Sequence, residues 1–136
     1  MEFGKVYLFP TPIAEGNTEG QLPNENLQRL KECDVFVVEE LRTARRFLRK
    51  AGYMRDFADV EFFVLNEHTL NEDLTPCIEL IKEGKTVGVM SEAGLPCVAD
   101  PGATFVALCQ RHGIRIEPLV GPSSIMLALM ASGFNG

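Results

Sequence analysis

The chain has 136 residues, 46% of them apolar and 24% charged, and a formal net charge of −6. That is one domain's length of globular composition, enough to bury a real core. No apolar run approaches the roughly 20 residues of a membrane helix, so no span is expected. The acidic balance also argues against this domain gripping nucleic acid unaided, since such domains are usually basic.

Taken in chain order, short apolar runs alternate with helical patterns. "MEFGKVYLFP" carries Lys5 but no long apolar core and no small-residue cleavage site, so it reads as a first strand over 5–9 rather than a signal peptide. A cytoplasmic protein is the resulting expectation. "NENLQRLKEC" (24–33) places Leu27, Leu30 and Cys33 at helical spacing, with Asn24 as N-cap. "DVFVVEE" (34–40) is β-branched and predicts a strand. "RTARRFLRKAG" (42–52) predicts a helix ended by Gly52, and "EFFVLNE" (61–67) a third strand. "NEDLTPCIELIKEG" (71–84) predicts a helix closing on Gly84, with Pro76 in its first turns, where a missing N–H matters least. "TVGVMS" (86–91) is a fourth strand, "ATFVALCQRHG" (103–113) a helix and "IRIEPLV" (114–120) a fifth strand. "PSSIMLALMASG" (122–133) predicts a last helix, from Pro122 to Gly133.

Strand and helix alternating in this way define an α/β domain. The expected fold is a five-stranded, mainly parallel sheet flanked by helices, with right-handed crossovers and both faces covered. The four cysteines, Cys33, Cys77, Cys97 and Cys109, form no CxxC, and His68 and His112 lie far apart. No zinc site is expected; buried, reduced thiols are, with His112 at a helix C-terminus.

In open parallel sheets, ligands bind beyond the carboxyl ends of the strands. Three unusual segments follow strands directly and so fall on that edge: "PTPIAEGN", "SEAGLPCVADPG" and "VGPSS". Glycine and proline there let backbone approach a ligand. The ordinary role of any one of them is turn chemistry; three on one edge favour a site. A dinucleotide fingerprint, a P-loop and a GxSxG elbow are all absent.

Together these segments are familiar. "VGVMSEAGLPCVADPG" resembles the S-D-A-G-T-P-x-x-S-D-P-G segment of the tetrapyrrole methylase-like superfamily, in the branch that methylates a ribose 2′-hydroxyl of a cytidine in small-subunit ribosomal RNA. "YLFPTPI" is similar to that branch's "YLVPTPIGN", "VVEELRTARRFL" to its "AEDTRxTRxLL", and "PLVGPSSIMLALMASGF" to its "PLPGPSAxxxALxxSGL". "LNEH" stands where the branch has a His- and Glu-rich stretch. The segments agree in order over nearly the whole chain. This sequence departs at Ala14-Glu15, Leu95 and Ala99, and "EDTR" has become "EELR".

The resemblance implies an S-adenosylmethionine-dependent methyltransferase, usually a homodimer, in which two α/β domains enclose the cofactor. Neither a metal nor a membrane is expected, from the spacing of cysteines and histidines and the short apolar runs above. The resemblance also implies that residues 1–120 are the N-terminal methylase domain and 121–136 the last helix and the start of a linker to a second domain, so that this half alone is inactive. Carried over residue by residue, the cofactor would be held by Ser91, Ala93, Gly94, Leu95, Pro96, Val98 and Ala99, with Pro12, Ser123 and Ser124 closing the pocket. Glu92 and Asp100 are candidate bases for a ribose hydroxyl. Their bland roles are turn stabilisation and, for Asp100, capping of the next helix. Five of the 13 basic residues crowd into positions 42–50, where Arg42, Arg45 and Arg46 are candidates for RNA phosphates; the bland alternative is a solvated helix face. Two further functions stay open. One is methylation of a tetrapyrrole or other small molecule. The other is an inactive cofactor-binding or dimerisation module.

Overall fold

A computed structural model describes residues 2–9, 24–65, 71–90 and 101–119. It contains strands β1 (Val6–Phe9), β2 (Val35–Val38), β3 (Glu61–Val64), β4 (Val87–Met90) and β5 (Ile116–Pro118). The helices are α1 (Asn24–Lys31), α2 (Leu41–Lys50), α3 (Thr75–Lys82) and α4 (Pro101–Arg111). The strands form one sheet in the order β3-β2-β4-β1-β5, every pair parallel. The expected five-stranded parallel α/β architecture is therefore what forms.

Alternation along the strands sorts the side chains into two cores. Val6, Leu8, Val35, Val37, Val87 and Val89 face α3 and α4, where they meet Cys77, Ile78, Ile81, Phe105 and Cys109. Tyr7, Phe9, Phe36, Val38 and Met90 face α1 and α2, with Leu30, Cys33, Phe47 and Leu48. Connections that run one way along the sheet lie on one face and those that return lie on the other, as right-handed crossovers require. Gly88 is the small residue of the second face. A Cβ there would stand 2.8 Å from the Phe9 ring, 3.0 Å from the Phe36 ring and 3.1 Å from the Cys33 sulfur.

Several boundaries depart from expectation. Asn24 is the first residue of α1 rather than its cap. The segment expected as one helix over 71–84 is a 3-10 turn at Asn71–Leu74 followed by α3. Pro76 lies in the first turn of α3; were the α-helix extended upstream, its ring would clash with the carbonyl four residues back. The third strand stops at Val64, and Glu61 and Val64 are exposed, so this edge strand is not covered on both faces. A 3-10 turn at Phe57–Asp59, capped by the Asp56 carboxylate, was not legible in the sequence. Glycines at positive φ follow α2, α3 and α4 at Gly52, Gly84 and Gly113. The helix expected over 122–133, and Cys97 and His68, lie outside the described residues.

Cys33, Cys77 and Cys109 are buried free thiols, as expected. Burial pushes the Cys77 thiol up to about 12 and raises Cys33 and Cys109 too. Burial first, and then the Glu32 carboxylate, raises the Tyr7 phenol to about 12. The folded state thus holds these protons more tightly than the unfolded chain. Their contribution to stability is complete below about pH 9 and falls as pH rises from there towards 12. Urea midpoints should therefore drop on the alkaline side. Iodoacetamide at neutral pH should label these three thiols only after unfolding, as peptide mapping by mass spectrometry will read; rapid native labelling would contradict the burial.

Candidate functional site

The carboxyl edge of the sheet is set by Phe9, Val38, Val64, Met90 and Pro118. It is held in register by hydrogen bonds from Leu65 N to the Val38 carbonyl at 2.7 Å and from Leu119 N to the Leu8 carbonyl at 3.2 Å. At this edge Phe9, Val38, Met90 and Leu119 are buried in the core on the α1–α2 face, and Leu65 in the core on the opposite face.

The helix that follows β4, α4, lies on one face of the sheet, whereas α2 and α1, which follow its neighbours β2 and β1, lie on the opposite face. Adjacent strands whose connections part to opposite faces leave a crevice at their carboxyl ends. The end of β4 at Met90 is flanked by such partings on both sides. Residues 91–100 begin directly after Met90, and 10–23 directly after Phe9 of the neighbouring strand. The proposed cofactor residues Pro12, Ser91, Ala93, Gly94, Leu95, Pro96, Val98, Ala99, Ser123 and Ser124, and the candidate bases Glu92 and Asp100, all lie outside the described residues. Their anchors, Phe9, Met90, Leu119 and the start of α4, lie within them.

Two carboxylates at this edge were not singled out from the sequence. Glu39 and Glu40 follow β2, Glu39 half-buried and Glu40 exposed. The Glu40 carboxylate accepts from Thr43 N at 2.5 Å and so caps α2. That hydrogen bond, helped by the Arg42 and Arg46 charges, lowers its pKa. The signal was the acidic pair between an apolar strand and a helical pattern. The cap survives the change from "EDTR" to "EELR" because a longer acid still reaches the third amide.

Arg42, Arg45 and Arg46 are exposed on α2, the helix that begins at this edge. The Arg45 guanidinium lies 5.5 Å from the Phe57 ring centroid and 5.3 Å from that of Phe62. Arg49 is committed to the scaffold. It donates to the Tyr53 carbonyl and, at 2.8 Å, to the Arg55 carbonyl, and sits 3.8 Å from the Phe57 centroid. Asp34, at the opposite edge, pairs with Arg55 at 2.9 Å and accepts from Thr86 N. Among the described residues no group of three or more His, Cys, Asp or Glu could hold a metal ion, and no helix is long and apolar enough to cross a membrane.

Strand order and the partings beside β4 define an open, parallel α/β domain whose ligand edge lies at the strands' carboxyl ends. The family model of the tetrapyrrole (corrin/porphyrin) methylases matches residues 18–135, and the chain belongs to that family. A relative named "Ribosomal RNA small subunit methyltransferase I" in Thermotoga maritima is 33% identical over 98% of this chain and 56% of its own length. The relative of the same name in Escherichia coli O157:H7 is 31% identical over 96% of this chain and 43% of its own. The chain thus spans about half the length of the curated relatives it matches. Among solved structures, uroporphyrin-III-C-methyltransferase from Thermus thermophilus superposes with a TM-score of 0.58 at 27% identity, over 97% of this chain and 54% of that one.

Proposed function

We propose that the chain is the cofactor-binding half of an S-adenosylmethionine-dependent methyltransferase acting on a ribose 2′-hydroxyl of small-subunit ribosomal RNA. The observation that carries this reading is the agreement, over 94% or more of the chain, with relatives bearing that ribosomal RNA name. The strand ends that anchor the proposed cofactor segments, Phe9, Val38, Met90 and Leu119, are buried and apolar, which supports the reading by giving those segments a firm, dry footing.

In this reading Ser91, Ala93, Gly94, Leu95, Pro96, Val98 and Ala99 hold the cofactor through backbone. That role tolerates the hydroxyls lost at Leu95 and Ala99. Pro12, Ser123 and Ser124 close the pocket. The bound cofactor supplies an activated methyl group for in-line displacement. The chain's task is to hold the hydroxyl at an approach on the order of 3 Å and keep water out. Glu92 or Asp100 takes the hydroxyl proton. A second domain following residues 121–136, a homodimer and a cytoplasmic location belong to the same proposal.

Calorimetry of the full-length protein with S-adenosylmethionine should give a saturable heat. Ribosomal RNA from a strain lacking the enzyme should accept one labelled methyl group. No heat would sink the methyltransferase reading. Labelling of a tetrapyrrole in place of the RNA would replace the substrate.

A further inference from the structure

The arginines of α2 are placed against the interests of the helix. Arg42, Arg45, Arg46 and Arg49 stand three or four residues apart, so they share one face, opposite the buried Ala44, Phe47 and Leu48. Like charges at that spacing repel, and each pair costs a helix about 0.2–0.5 kcal/mol. Arg42 lies in the first turn, which contains no acidic residue, so it also opposes the helix dipole. The chain as a whole carries a net charge of −6, so the stripe is not a reflection of overall composition. Arg49 on this face holds the Tyr53 and Arg55 carbonyls. Arg45 is steadied from below by Phe57 and Phe62, and Phe62 stacks 5.7 Å from the buried Phe36. That fixes a guanidinium at the surface and lowers the entropy it would lose on binding.

We infer that Arg42, Arg45 and Arg46 form a track for the phosphate backbone of the substrate RNA, leading along α2 to the carboxyl-edge crevice. Charge selects a polyanion. The track starts where β2 ends, beside the strand that feeds residues 91–100, so a backbone lying on it is delivered to the site. The Glu40 carboxylate sits near Arg42 and Arg46 but is occupied by the α2 cap. The inference rests on the RNA reading above and adds the surface that holds and positions the RNA.

The test uses the full-length protein and ribosomal RNA lacking the modification. The double variant R42Q/R46Q should raise the KM for RNA about tenfold or more, as loss of charged hydrogen bonds does. It should also flatten the slope of log K against log salt by about 0.7 for each phosphate that is no longer neutralised. Cofactor affinity should not change. R42K/R46K should keep the salt slope, which a purely structural role would not predict. Lys82 and Lys85, near the opposite edge, supply the control: K82Q/K85Q removes the same charge and should leave the slope alone. An unchanged slope in R42Q/R46Q, or an equal change in the lysine control, would overturn the track. So would tighter binding to anionic vesicles or an acidic protein than to RNA. A wild-type protein that binds RNA on these arginines without methylating it would keep the track and sink the activity.

Discussion

Gly88→Val is expected to remove about 3 kcal/mol or more of folding stability, at the upper end of overpacking costs. Gly88 is paired on both sides, with Tyr7 of β1 and Phe36 of β2, so its strand cannot swing away. The atoms a Cβ would meet belong to Phe9, Phe36 and Cys33, all fully buried. Phe36 is itself wedged against Tyr53 at 5.2 Å and Phe62 at 5.7 Å, and so has nowhere to retreat. The gain in β-propensity from valine is below about 1 kcal/mol and does not compensate. Urea unfolding of Gly88→Ala, Phe36→Leu and the double variant gives the mechanism. If the rings are the obstacle, the double variant loses less than the sum of the two single ones. Strict additivity would place the strain elsewhere.

Phe105→Ala should cost about 3–5 kcal/mol by leaving a cavity between α4 and the sheet. Phe105 is fully buried in the cluster that includes Val6, Leu8, Val87 and Val89. Its helix begins at Pro101, immediately after residues 91–100, so α4 is the downstream anchor of that segment. In the full-length protein, cofactor affinity should therefore fall together with stability. Phe105→Leu, closer in volume, should lose less than about 1.5 kcal/mol. A loss below about 1 kcal/mol for the alanine variant would mean that α4 settles into the gap.

The architecture was legible because its physics is local. "VYLF", "VFVV" and "VGVM" are continuous apolar runs, and each is buried along its whole length. Glycines 52, 84 and 113 marked where three helices end. Strand order was not legible, because all five strands are short and apolar and nothing in them names a neighbour. β3 misled for the same reason: "EFFV" reads as core, but its place at the sheet margin leaves Val64 44% exposed. At the site, the edge and its anchors followed from topology, and the cofactor residues only from resemblance. Glu40 was missed as a cap because glutamate is not among the usual capping residues. Arg45 was named from the sequence as a candidate for RNA phosphates, but nothing in the sequence showed how it differs from Arg49. Their division of labour depends on Phe57 and on carbonyls that only the folded turn supplies.

The two faces of the sheet also differ in what can be seen of them. The chain has no tryptophan and two tyrosines, and both Tyr7 and Tyr53 belong to the α1–α2 side. Ultraviolet emission and near-ultraviolet dichroism of the tyrosines therefore watch one half of the domain. Loosening of α3 and α4, as in Phe105→Ala, would pass silently in those signals while far-ultraviolet dichroism lost helix. Coincidence of the two melting curves is thus a direct test of whether the sheet's two sides come apart together.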